Sequence, residues 1–175
     1  MNKKLWAPVF AQIDLKNAML YIRDGTTPTA EEIEIKIGEG NLTFSEKINR
    51  EYTLNRGTLD EVRNGDEVPM DVSFDILWDY IKGSSTTGED PSVEDALKQR
   101  GNAAAWESTD SDTCRPYAVD IVIVYTPSPS ACGDSETITF PDFRYESLDH
   151  DLRGGTASCS GKCNATEPTV VRAAQ

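Results

Sequence analysis

The chain has 175 residues, a length that fits one ordinary domain with a sizeable core. Its 17 Lys and Arg stand against 30 Asp and Glu, a net charge of −13, which argues against a protein that grips nucleic acid by neutralising phosphates. No apolar run approaches the ~20 residues that cross a bilayer, so no membrane span is expected.

The start, Met1-Asn2-Lys3-Lys4-Leu5-Trp6-Ala7-Pro8, loses its apolar character at Gln12 and Asp14, too soon for a signal-peptide core. The expectation is a protein made and kept in a cytosol, with residues 1–12 as an N-terminal arm on a single domain spanning 1–175. Ile33, Ile35 and Ile37 alternate with Glu32, Glu34 and Lys36, and Gly38-Glu39-Gly40-Asn41 then leads into Leu42-Thr43-Phe44-Ser45, which reads as a hairpin. Tyr52 to Arg56 is a further strand running into Gly57, and Asn64-Gly65-Asp66 marks a turn of the kind Asn-Gly favours.

The clearest strand spans Val68 to Tyr80. One parity holds Val68, Met70, Val72, Phe74, Ile76, Trp78 and Tyr80; the other holds Asp71, Ser73, Asp75, Leu77 and Asp79. One face is therefore core and the other acidic. Residues 82–91, rich in Gly, Ser and Thr, read as a flexible loop, and Pro91 to Gly101 carries the punctuation of one short helix. Ser92 can cap it, basic residues occupy its last turn and Gly101 can end it.

Residues 107–116 read as a second flexible loop. From Tyr117 to Tyr125 both parities are apolar apart from Asp120, the pattern of a central strand covered on both faces. Ile138-Thr139-Phe140 changes parity at Pro141-Asp142 before Phe143-Arg144-Tyr145, as a bulge would produce. The last strand lies within Thr156 to Ala165, with its small residues on one face. Seven or eight strands and one helix imply a mainly β fold: a two-sheet β-sandwich or partly closed barrel with one flanking α-helix.

The residues offer no catalytic set. His150 is the single histidine, and its neighbours Asp149 and Asp151 cannot orient its ring as a triad acid does, so it reads as an exposed loop residue. Cys114, Cys132, Cys159 and Cys163 lack the close Cys-x-x-Cys pairs of a structural zinc site. Cys159 and Cys163 share parity with Ala157, Gly161 and Ala165 and read as small buried hydrophobes. Cys114 and Cys132 lie in loops flanking one strand and are the candidate disulfide, within or between subunits. Asp110-Ser111-Asp112 lacks the glycine-spaced loop of a calcium site and reads as solvated loop charge. No metal, no cofactor and no enzymatic activity are expected.

Three stretches carry a family resemblance. They are Tyr52 to Phe74, with its Arg-Gly turn, Gly-Asp-Glu turn and long strand; the helix Pro91 to Arg100 after a polar insertion; and the ending Asp151 to Ala165 with its Ser-Gly-Lys-Cys-Asn-Ala close. In this order they resemble the major tail tube protein of long-tailed bacteriophages, over about half the chain. The resemblance implies six subunits to a ring, rings stacked into a tube, and inner sheets merged into a continuous lumen wall. It further implies a virion location, assembly in the bacterial host cytoplasm, and contacts with tape measure, terminator and baseplate or tip proteins. Double-stranded DNA would pass non-specifically through the lumen. Asp71, Asp75 and Asp79 then become the candidate lumen-facing residues, repelling DNA so that it slides. The cysteines depart from the family pattern. The alternatives are a related tube protein of a secretion or contractile injection system and a β-sandwich binding module. Such a module calls for clustered exposed aromatics, whereas Trp6, Trp78 and Trp106 are scattered.

Overall fold

A computed structural model describes residues 18–35, 41–77, 91–126 and 135–173. The strands are β1 (Ala18–Arg23), β2 (Glu32–Ile35), β3 (Leu42–Ser45), β4 (Ile48–Asn55), β5 (Thr58–Glu67), β6 (Met70–Leu77), β7 (Val119–Tyr125), β8 (Ser135–Asp151), β9 (Thr156–Cys163) and β10 (Thr169–Ala173). One helix, α1 (Val93–Lys98), is followed by a 3-10 turn at Gly101–Ala103. Eight strands form one sheet in the order β2-β1-β7-β8-β9-β6-β3, with β10 paired to β8, and β4 and β5 form a separate two-stranded sheet. Among the described residues the fold is mainly β, with two sheets, a flanking helix and no closed barrel. Strands β1 and β10 were not among those expected from the sequence.

The larger sheet folds over on itself at β8. Its first half pairs with β7 and β10, and its second half pairs with β9. The bend falls where the alternation changes parity: Phe140 and Phe143 are both fully buried, and Asp142 between them adopts φ 51°. Phe44 of β3 comes back over β8, its ring 5.1 Å from that of Phe140. Between the two halves lies the core, built from Leu20, Ile22, Val72, Phe74, Ile121 and the two β8 phenylalanines.

Strand β9 contributes the small side of this core. Ala157, Cys159, Gly161 and Cys163 alternate inward, and the Phe143 ring lies so close to Gly161 that an added Cβ would stand 2.8 Å from it and 2.1 Å from the Arg144 carbonyl oxygen. Burial of the two thiols pushes both up to about 12, so they behave as small hydrophobes, as their parity indicates. Helix α1 starts as its sequence suggests, with Ser92 Oγ accepting from the Asp95 amide at 3.1 Å. It stops two residues before the expected glycine, at a left-handed Gln99 whose side chain donates to the Trp106 carbonyl.

Three local expectations are corrected. The run 32–45 is not a hairpin: β2 pairs with β1 through Leu20↔Ile35 and Ile22↔Ile33, whereas β3 pairs with β6 at the other end of the sheet. The expected turn residues 38–40 lie outside the described residues. Asn64-Gly65-Asp66 is not a turn but lies within β5, beside the irregularity at Ile48 to Arg50, and the chain reverses at Arg56-Gly57, both left-handed. His150 is exposed, yet it sits near the end of β8 opposite Ala157 and not in a loop.

The segment 107–116 has neither helix nor strand and is tied to the body by Asp110. The Asp110 carboxylate is almost buried, accepts from Arg144 at 2.6 Å and lies 3.3 Å from Arg115. It is thus an anchor and not solvated loop charge. The Asp112 amide and the two guanidiniums hold it below the usual carboxylate range.

Candidate functional site

The outward parity of β6 meets its neighbours on one polar face across β3, β6, β9 and the second half of β8. Three cross-strand rows build it. The middle row is hydroxyl throughout: Thr43, Ser73, Ser160 and Ser147 stand opposite one another in register. Thr43 and Ser73 share a hydrogen bond of 2.7 Å, and Ser147 and Ser160 one of 2.8 Å. Such short, mutually satisfied side chains leave a low-relief surface with no apolar grip.

On one side of that row stand Asp75, Ser158 and Asp149, with the Ser158 hydroxyl donating to Asp75 at 2.6 Å. On the other side stand Ser45, Asp71 and Lys162. Lys47 pairs with Asp71, and Lys162 lies 3.7 Å from Glu146. The hydrogen bond from Lys47 holds the Asp71 carboxyl below its ordinary value. Two shallow depressions of about 360 and 270 Å³ mark the face, both lined by Thr43, Ser73 and Ser160.

Asp71 and Asp75 therefore both lie on the outward face of β6, and Asp79 lies outside the described residues. Their electrostatic roles differ. Asp71 is offset by Lys47, so the uncompensated charge rests on Asp75 and on Asp149. Asp149 was missed in the sequence because a bulge between Tyr145 and Ser147 shifts the parity of β8. The hydroxyl row was legible as the alternation Thr156, Ser158, Ser160 along β9, but its match to Thr43, Ser73 and Ser147 depends on strand pairing. Cys114 is exposed, and its candidate partner Cys132 lies outside the described residues. Among the described residues no group of three or more His, Cys, Asp or Glu is placed to hold a metal ion. No helix among them is long and apolar enough to cross a membrane.

No family model and no curated protein matches the chain. Solved structures do. The chain is similar to the sheath/tube terminator of an extracellular contractile injection system (PVC) in its extended state, with a TM-score of 0.53 at 10% identity, covering 93% of this chain and 99% of that one. It also matches a chain of the anti-feeding prophage (AFP) baseplate, with a TM-score of 0.43 at 9% identity over 89% of this chain and 92% of that one. At this identity the first likeness is one of fold.

Proposed function

We propose that this chain is a non-catalytic structural subunit of a phage-type tail, and specifically a tail tube subunit. Six copies form a ring, rings stack into a tube, and the face of Asp75, Asp149 and the hydroxyl row lines the bore. The observation that carries the reading is that face: it is hydroxyl-rich and acidic, and each of its two lysines lies within ion-pair distance of a carboxylate. Among the described residues such a wall offers DNA phosphates no free cation and repels them, so double-stranded DNA slides without sticking. The fold it shares with a sheath/tube terminator supports a place in a tail assembly, beside tape measure, terminator and baseplate or tip proteins. On this reading the chain is assembled in the bacterial host cytoplasm and ends in the virion tail.

A second reading is favoured by that likeness, which spans 99% of the terminator chain: a single ring closing the end of a tube. Electron microscopy of the purified chain separates the two. Tubes of repeating rings support the tube subunit, isolated single rings support the terminator, and a protein that stays monomeric at high concentration contradicts both. For the bore, the double substitution Asp75→Lys, Asp149→Lys should leave assembly intact while making assembled material retain a short DNA duplex that the wild type releases. Equal retention by the two would remove the bore assignment.

A further inference from the structure

Strands β4 and β5 form an amphipathic hairpin that the other described residues do not cover. They pair with each other and make no extended contact with any other described element. The register places Tyr52 opposite Val62 and Leu54 opposite Leu59, so these four share one face with Ile48, Arg50 and, opposite Ile48, Glu67, whereas Glu51, Glu61 and Arg63 occupy the other. Exposure on the apolar face is 60% for Tyr52, 62% for Leu54, 65% for Leu59 and 52% for Val62. A lone two-stranded hairpin is marginal in water, and an apolar patch of this kind marks a contact surface.

The charge on that face points to its occupant. Arg50 donates to Asn64 at 2.8 Å and has no carboxylate partner among the described residues; Glu51 and Glu61 lie on the opposite face, and the acid on its own face, Glu67 opposite Ile48, stands beyond the irregularity between Ile48 and Arg50. The body offers a matching strip on the outside of the other half-sheet. Met19, Val124, Thr137 and Val171 stand in one cross-strand row, with Met19 54% and Val171 59% exposed. In the adjoining row Glu34 stands beside Tyr21, exposed and with no ion-pair partner among the described residues.

We propose that the hairpin face of one copy docks on the β1-β7-β8-β10 strip of a second copy, with Arg50 against Glu34. Two different patches meet, so the contact is head-to-tail and propagates into a ring or filament. The inference rests on the self-assembly part of the reading above and is independent of what lines the bore.

The test uses two single variants of the full chain, R50E and E34K, in sedimentation velocity. Each places like charges together at every contact, and each alone should need an at least about tenfold higher concentration to assemble. Mixed in equal amounts they should assemble like the wild type, because each hairpin then meets a strip of opposite charge. A misfolded variant cannot give that rescue. Unimpaired assembly by either variant alone, or no rescue on mixing, overturns the proposal. Docking of two hairpins on each other leaves E34K unimpaired on its own, and docking on a different protein leaves self-assembly of both variants unimpaired. Tubes from the wild type with failed rescue sink the docking and spare the tube, and successful rescue in closed rings without stacking does the reverse.

Discussion

The two sheets of this protein use the same residue types in opposite ways. In the larger sheet, inward parity buries Val72, Phe74, Ile121 and Phe143 and leaves hydroxyls outside on the β3-β6-β9 half. In the hairpin, Tyr52, Leu54, Leu59 and Val62 share one face, across an irregularity between Leu59 and Val62, but face solvent. Alternation alone therefore establishes an amphipathic strand and not which partner covers its apolar side. A body with its own closed core beside an appendage without one is the arrangement expected of an assembling subunit.

The sharpest way to break that contrast is to disturb the body. Gly161→Ala sets a methyl against the Arg144 carbonyl and the Phe143 ring, and should destabilise by about 3 kcal/mol, read as a drop in the midpoint of denaturant unfolding. The double substitution Leu54→Ser, Leu59→Ser should change the stability read from that midpoint by no more than about 0.5 kcal/mol, because both side chains are already exposed, while abolishing assembly. Equal effects of the two changes on stability would erase the distinction.

Smaller effects separate groups within the body by pH. Asp110 has its carboxyl lowered by the Asp112 amide and by Arg144 and Arg115, so its contribution is present above the unfolded carboxylate range and lost as pH falls through the lowered folded value. Asp110→Asn should weaken the protein near neutrality and flatten its acid loss. Asp120 is shifted the other way, chiefly by burial and also by Asp142, so its charge costs stability as pH rises above the unfolded carboxylate range. Asp120→Asn, which retains an acceptor for the Asp142 amide, should remove that part of the slope. The smallest effect is chemical. Cys114 should react with a thiol reagent in the native protein, whereas Cys159 and Cys163 should react only on unfolding.

Much of the body was legible in the sequence because its signals are local. The parity of β6, the change of parity at Pro141-Asp142 and the small inward residues of β9 each lie within a few positions. What was missed depends on distant pairing. Ile33 and Ile35 look poised to turn into Leu42, yet their partners are Ile22 and Leu20. Asp110 reads as a loop acid because Arg144, which anchors it, lies 34 positions away. Asp149 joined the polar face only through the bulge that precedes Ser147. The face assigned to Asp71 and Asp75 was readable from alternation, but its neutralisation at Asp71 required Lys47, brought in by β3.

Negative-stain electron microscopy of the purified full chain at high concentration tests the central claim of a self-assembling tube subunit most directly. Tubes of uniform width built from repeating rings are the expected result; a stable monomer under the same conditions would contradict it.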